Sequence, residues 1–198
     1  MIELLVILTI ALCLLVLFTA ILINFLEAKP KGKVKHQKRS LVATGTMTLF
    51  FFFFYYLIRF QIGAISLDNF SFRIVLVAAG LAMIVGGCVI NIKGRFDLGK
   101  NWANQIKIYQ DQSLVTRGVY QFIRHPLYAS LILMFYGASI VYLNYVSFLA
   151  NTFIFLPFMY YRARQEESLL ISQFKDYPVY QLKTGMFFPK LSRRCKNV

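Results

Sequence analysis

Long uncharged stretches alternate with short basic stretches along this chain. Three of the uncharged stretches have about the length of one membrane-spanning helix, roughly 20 residues, and they are Leu4–Leu26, Leu41–Ile58 and Ile74–Ile92. The fourth, Leu127–Tyr161, is too long for one span and predicts a helical hairpin that turns near Leu143–Tyr145. The pattern therefore predicts an all-α integral membrane protein with five transmembrane helices, the last two forming a helical hairpin.

Lysine and arginine residues are concentrated in the segments at one end of these predicted helices. Lys29–Arg39 and Lys93–Arg124 carry six each, the segment from Arg162 onward carries eight, and only Arg59 and Arg73 lie elsewhere. Basic residues are enriched in cytoplasmic loops, so we expect the amino terminus outside and the carboxyl terminus in the cytosol. The first helix lacks a basic n-region and is too long for a signal-peptide core, so we expect it to remain as a span.

The composition adds a net charge of +14 and a hydrophobic fraction of 58%. The predicted topology and attraction to anionic headgroups of membrane lipids account for this charge. Aromatic and basic residues are not interleaved on a soluble module, so we expect no nucleic-acid partner. Cys13, Cys88 and Cys195 lack the spacing of metal ligands or of a disulfide framework, so we expect no metal site.

Two predicted cytosolic segments flank the hairpin and are long enough to build a site. The hairpin should bring His125 and Tyr128 close to Arg162 and Glu166. Pro126 favours a helix start, where free N–H groups and the helix dipole attract an anion. A protein carboxylate facing this helix start would complete a site for an amino acid. The amine of the amino acid would lie at Glu166, and its carboxylate would lie at the helix start.

A purely structural interpretation of these residues stays open. Arg124 could be an interfacial arginine at a helix start, and Arg162 could form an ordinary i,i+4 ion pair with Glu166. Acidic residues are scarce, however, with eight in the chain and two of them adjacent at Glu166 and Glu167. Helical spacing places Arg164 and Glu167 on faces other than the one that Arg162 and Glu166 share.

Several motifs resemble the isoprenylcysteine carboxyl methyltransferase family, especially its small prokaryotic members. They are QSLVTRGVYQFIRHPLY (Gln112–Tyr128), RARQEESLLISQF after the hairpin, TGMFFPK near the end and DLGKNWANQIKI upstream. The resemblance implies S-adenosylmethionine as methyl donor, bound in a cytosolic pocket formed by the loop before helix 4 and the carboxyl-terminal segment. It also implies O-methylation of the carboxylate of a lipophilic, isoprenylcysteine-like substrate that enters from the bilayer.

The same resemblance implies roles for individual residues. Arg162, facing the substrate, and Glu166 would be the catalytic residues. The implied donor-binding residues are Gln105, Gln112, Ser113, Leu114, Val115, Tyr120, His125, Pro126, Leu127, Tyr128 and Glu166. We divide the chain into residues 1–92, with three transmembrane helices and the basic loop 29–39, and residues 93–198, the methyltransferase region.

Three other functions remain open from the sequence. A phospholipid or amine methyltransferase would need a carboxylate such as Glu167 to deprotonate its acceptor. An NADPH-dependent sterol-reductase-like enzyme would need basic residues for the 2′-phosphate, and Arg117 or Arg124 could serve. A membrane scaffold would use the polar residues only to anchor the hairpin. The expected membrane is the plasma membrane in a prokaryotic host and the endoplasmic reticulum in a eukaryotic one.

Overall fold

The computed structural model describes residues 2–27, 34–37, 41–99, 107–109 and 113–190, and these form mostly helix. The α-helices are α1 (Ile2–Glu27), α2 (Leu41–Arg59), α3 (Phe70–Leu98), α4 (Pro126–Val141), α5 (Tyr145–Ala150), α6 (Leu156–Gln173) and α7 (Tyr177–Lys183). A 3₁₀ helix covers Gly118–Gln121, and a π-helical turn covers Asn151–Phe155. Two short strands are β1 (Val34–Gln37) and β2 (Lys107–Tyr109).

Helices α1 and α3 are long and apolar enough to cross a membrane, over Glu3–Asn24 and Phe70–Leu98. Helices α2 and α4 supply shorter apolar stretches, Gly45–Arg59 and Pro126–Val141. Large apolar side chains cover much of the outer surface, and Phe18 of α1, for example, is 65% exposed. Apolar surface of this extent indicates contact with lipid or with a partner. The helical membrane fold is supported, and the number of five spans stays a prediction.

The turn between α4 and α5 confirms the predicted hairpin turn. Leu143 has a φ of 49°, and the Oδ1 atom of Asn144 accepts a hydrogen bond from the N–H of Ser147 at 2.8 Å, which caps α5. Through the π-helical turn, α5 continues directly into α6. The predicted apolar run ends at Tyr161, and the helix extends to Gln173. The polar residues beyond the apolar run are therefore presented on a regular helix.

An antiparallel ladder of two strands was missed by the prediction of an all-helical chain. Strand β1 pairs with β2, with His36 opposite Ile108. Because β1 lies between α1 and α2 and β2 lies between α3 and α4, the ladder joins the two predicted basic loops at one end of the bundle. Strands of four and three residues are too short to leave a recognisable alternation in the sequence.

Helices α3 and α4 pack closely because glycines of α3 face α4. Gly80, Gly87 and Gly94 are spaced by seven residues, about two helical turns. A Cβ atom at Gly80 would lie 2.7 Å from the carbonyl oxygen of Gly137, and one at Gly94 would lie 3.4 Å from Cγ of Pro126. Small residues let helix backbones approach each other in membranes. This interface therefore sets the position of the start of α4.

Replacing Gly80 with alanine is expected to lower the free energy of unfolding by about 2 kcal/mol, because an overpacked interface costs about 1–3 kcal/mol. Gly86→Ala is the matched control, since nothing lies within 4 Å of a Cβ atom there. Alanine is also the better helix former by about 1 kcal/mol. The thermal midpoints of the detergent-purified variants measure the difference. Equal midpoints would contradict a close contact between α3 and α4.

Candidate functional site

Backbone hydrogen bonds tie the start of α4 to the segment that follows α7. The N–H of Arg124 donates to the carbonyl oxygen of Gly185 at 2.9 Å, and the N–H of His125 donates to that of Met186 at 3.1 Å. Pro126 occupies the first turn of α4, where its missing N–H removes no helical hydrogen bond. The segments before α4 and after α7 are therefore joined into one surface.

Five side chains from this surface and from α6 form the site cluster: Arg124, His125, Tyr128, Glu166 and Glu167. The His125 ring lies between the two glutamates, with Nδ1 3.3 Å from Oε2 of Glu166 and Nε2 3.3 Å from Oε1 of Glu167. The hydroxyl of Tyr128 donates to Oε1 of Glu166 at 2.7 Å. The rings of His125 and Tyr128 are stacked, with centroids 5.6 Å apart. Three residues that the sequence predicted for the site thus meet here.

Glu167 is the buried anchor of the site cluster. Its side chain is 2% exposed, and Oε1 accepts a hydrogen bond from Nε of Arg124 at 2.7 Å. Its Oε2 accepts one from the amide of Gln181 at 2.8 Å, and Arg124 also donates to the carbonyl oxygens of Gln181 and Thr184. Burial raises the pKa of Glu167, but hydrogen bonds from His125 and Arg124 outweigh burial and bring that pKa to about 2. Glu167 is therefore ionised at neutral pH.

The environment of His125 favours its doubly protonated form. Both ring nitrogens face carboxylate oxygens, and only an imidazolium donates from both. The side chain is 5% exposed. Burial lowers the pKa of His125, whereas hydrogen bonds and negative charge from Glu166 and Glu167 raise it, and the net change is upward from 6.5.

Arg162 borders the site cluster on the side of α2. Its Cζ atom lies 5.9 Å from the ring centroid of Tyr128, a cation–π arrangement. Its Nη1 atom lies 3.6 Å from Sδ of Met47. Arg162 is half-buried whereas Arg164 is exposed. The half-buried guanidinium is thus one helical turn from Glu166 and beside the aromatic ring that Glu166 contacts.

The turn before α4 positions Tyr120. Gly118 has a φ of +61°, and a Cβ atom there would collide with the carboxylate of Asp97, so the position requires glycine. Asp97 accepts a hydrogen bond from the N–H of Val119 at 2.8 Å. Tyr120 is buried, and its carbonyl oxygen accepts a hydrogen bond from the Tyr180 hydroxyl at 2.6 Å. Burial raises the pKa of Tyr120, so its hydroxyl stays protonated.

The roles predicted for the remaining site residues are not tested by the structure. Gln105 and Gln112 lie outside the described residues. Ser113 is exposed, Pro126 is buried, and Leu114, Val115 and Leu127 are half-buried. Among the residues that the structure describes, no group of three or more histidine, cysteine, aspartate or glutamate side chains could hold a metal ion.

Sequence reasoning missed the roles of Glu167, Arg124 and Gln181. It assigned Glu167 to a different helix face from Glu166, and an interfacial position was one interpretation of Arg124, which is in fact buried. Adjacent helical side chains point about 100° apart, but the two nitrogens of His125 lie on opposite sides of its ring and reach both glutamates. The adjacent acids, in a chain with only eight, were the available signal.

Comparisons with known proteins point to one family. The model of the isoprenylcysteine carboxyl methyltransferase (ICMT) family matches residues 79–172. A probable protein-S-isoprenylcysteine O-methyltransferase of Oryza sativa subsp. indica is 32% identical over 113 residues, which are 56% of this chain and 59% of the rice protein. The protein-S-isoprenylcysteine O-methyltransferase of Schizosaccharomyces pombe is 29% identical over 126 residues, 62% of this chain and 53% of the yeast protein. The chain thus spans somewhat over half the length of these relatives.

A solved structure shares the fold. The eukaryotic intramembrane Ras methyltransferase ICMT superposes with a TM-score of 0.56 at 26% identity, covering 77% of this chain and 53% of that one. The region matched by the family model contains the whole site cluster. The family model, the curated relatives and the solved fold agree, and all three are similarities to the isoprenylcysteine carboxyl methyltransferase family, with residues 79–172 matching the family model.

Proposed function

We propose that this chain is an integral membrane methyltransferase that uses S-adenosylmethionine to O-methylate the carboxylate of a lipid-modified, isoprenylcysteine-like substrate. The observation that carries the proposal is the meeting of Glu166 and His125 at the start of α4, within the region matched by the family model. The relatives named protein-S-isoprenylcysteine O-methyltransferase support the substrate class.

The groups of the site cluster fit the amino acid end of S-adenosylmethionine. The carboxylate of Glu166 is 29% exposed and would hold the ammonium while it keeps Tyr128 and His125, since a carboxylate has about four acceptor positions. The carboxylate of the donor would lie at the first turn of α4, which begins at Pro126, where N–H groups such as that of Leu127 lack helical partners. The sulfonium, when bound, supplies the methyl group.

The segment before α4 would hold the adenosyl part of the donor. Buried Tyr120 and half-buried Leu114 and Val115 would line the adenine. The contacts that the family resemblance adds are Gln105, Gln112 and Ser113. This assignment makes the joined surface before α4 and after α7 one wall of the donor pocket.

Methylation of a carboxylate requires no general base, because the acceptor is already ionised at neutral pH. Arg162 would hold the substrate carboxylate by a charge-assisted hydrogen bond, from its position over the Tyr128 ring. One bond that leaves an oxygen lone pair free serves the transfer better than a bidentate pair, which would stabilise the ground state. The site supplies alignment and exclusion of water.

We further propose five spans, with the amino terminus outside and the site at the cytosolic end. The pairing of β1 with β2 supports one common side for the two basic loops. The exposed apolar helix surface supports contact with membrane lipids, and the lipid part of the substrate would enter laterally between helices. The membrane is the plasma membrane in a prokaryotic host or the endoplasmic reticulum in a eukaryotic one.

Two contacts weigh against the other enzyme classes. Arg124 is 8% exposed and paired with Glu167, so its guanidinium is not available for the 2′-phosphate of NADPH. Glu167 is buried, ionised and hydrogen-bonded to Arg124 and Gln181, so it is poorly placed to remove a proton from an acceptor amine.

The test combines donor binding with methyl transfer. Calorimetry on the detergent-purified protein compares S-adenosylhomocysteine with NADPH, and we expect micromolar binding of the former alone. Methyl transfer from labelled S-adenosylmethionine to N-acetyl-S-farnesylcysteine should give a product that releases methanol in base, as an ester does. Binding of NADPH in place of the adenosyl ligand, or a base-stable methylated product, would overturn the proposal.

A further inference from the structure

The two adjacent glutamates of α6 differ sharply in their surroundings. Glu166 is partly exposed and contacts Tyr128 and one nitrogen of His125. Glu167 is buried and is held from three directions, by Arg124, Gln181 and the other nitrogen of His125. The structure therefore separates a carboxylate that can meet a ligand from one that cannot.

We propose that Glu167 is a positioning residue that keeps His125 doubly protonated and oriented toward Glu166, so that donor affinity falls when His125 loses a proton. The affinity part of this proposal rests on the proposed function. Glu167 itself touches neither donor nor substrate in this assignment, and it acts through the imidazole ring.

Arg124 and Gln181 are the reason that Glu167 can hold the ring. They engage both of its carboxylate oxygens, at 2.7 and 2.8 Å. Since the carboxylate is held in place, Nε2 of His125 donates to a fixed acceptor 3.3 Å away. The fixed Nε2 contact leaves Nδ1 directed at Oε2 of Glu166.

Loss of one proton from His125 would reverse an attractive contact. Nδ1 of His125 lies 3.3 Å from Oε2 of Glu166 in the structure. If Nε2 keeps its proton and donates it to Glu167, Nδ1 carries a bare lone pair that faces Oε2. Two lone pairs repel at this distance, so the Glu166 carboxylate would shift from the position assigned to the donor ammonium. Donor binding therefore depends on the protonated ring.

The groups around His125 determine the direction of its pH dependence. Glu166 and Glu167 face it from α6, Tyr128 stacks on it from α4 and the Phe187 ring packs against it with centroids 6.3 Å apart. The positive charges are Arg124, bonded to Glu167, and Arg162, over Tyr128. The carboxylates contact the ring directly and the cations do not.

The carboxylate contacts raise the pKa of His125 above its ordinary value of 6.5. The stabilisation from protonated His125 is thus complete below about pH 6.5 and is lost as the pH rises through the raised value.

Nuclear magnetic resonance of labelled histidine tests the assignment directly. The chain has two histidines, so His36→Gln leaves His125 as the only signal. We expect its titration midpoint above 6.5 in this background and at least one pH unit lower after Glu167→Gln. Glu167→Asp keeps the charge and should restore at least half of the shift. Asp176→Asn, an exposed acid with the same change of charge, should leave the midpoint unchanged.

Calorimetric titration of S-adenosylhomocysteine between pH 5.5 and 9 provides the functional measurement. The affinity for S-adenosylhomocysteine should fall as the pH rises through the titration midpoint of His125. At pH 8 it should be about tenfold weaker in Glu167→Gln than in Glu167→Asp, the equivalent of about 1.4 kcal/mol. A midpoint below 6.5 before any change at Glu167, or one unmoved by Glu167→Gln, would overturn the role of Glu167. A midpoint that behaves as expected with no ligand binding at any pH would instead overturn the donor site.

Discussion

Replacing Glu166 with glutamine is expected to weaken binding of S-adenosylhomocysteine about 100-fold. The carboxylate is the only partly exposed acid of the site cluster, and it would hold the donor ammonium. A hydrogen bond to a charged group is worth about 1.5–3 kcal/mol, which corresponds to a loss of about 10- to 100-fold in affinity. Glutamine keeps an oxygen that accepts from Tyr128, so the fold should persist. Calorimetry at pH 7 measures the affinity.

Asp176→Asn is the matched control for this change. Asp176 is exposed at the start of α7, and its side chain makes no capping hydrogen bond there. The control should bind the ligand as the unchanged protein does. Equal affinities for Glu166→Gln and Asp176→Asn would show that Glu166 does not contact the donor and would remove the central assignment of the site.

Replacing Arg162 with glutamine should reduce the rate of methyl transfer about 1000-fold and change the affinity for S-adenosylhomocysteine by less than about threefold. The guanidinium would align the substrate carboxylate, and alignment supplies several kcal/mol of rate enhancement. Lysine at this position should recover only part of the rate, because it lacks the planar fork of arginine. Transfer to N-acetyl-S-farnesylcysteine at saturating donor measures the rate.

Arg164→Gln controls for the general loss of positive charge at the membrane surface. Arg164 is exposed and two residues away on the same helix, and its variant should transfer methyl groups at the unchanged rate. A similar fall in both variants would indicate a surface-charge effect. Loss of donor affinity in Arg162→Gln would place Arg162 in the donor site and refute its substrate role.

Much of the fold could be predicted because lipid imposes a simple rule on sequence. A helix satisfies its own backbone hydrogen bonds in the bilayer and needs a long apolar stretch to do so, so the helices and the turn near Asn144 are visible in the pattern. The β1–β2 ladder was not predicted, since three or four residues carry no periodic signal. The glycines at 80, 87 and 94 were in view, but only the α3–α4 contact shows which face they serve.

The site was predicted where residues are close in sequence or joined by the hairpin. His125, Tyr128 and Glu166 were expected to meet, and they do. The segment after α7 was expected to border the site, but its pairing with Arg124 and His125 depends on backbone hydrogen bonds, which any residue types can make. Gln181 donates to Glu167 from its side-chain amide, but the two residues lie on different helices, and nothing in the sequence pairs them.

The sequence by itself determined the helical membrane class, the hairpin, the resemblance to one family and the identity of the polar groups that meet at the start of α4. Only the tertiary structure decided what each glutamate does. From helical spacing, Glu166 and Glu167 differ only in the direction in which their side chains point. The burial of Glu167 and its hydrogen-bond partners are supplied by α7 and by the segment before α4. Because a carboxylate's charge and mobility depend on those distant partners, two neighbouring glutamates differ: Glu167 is a fixed anchor and Glu166 is open to a ligand.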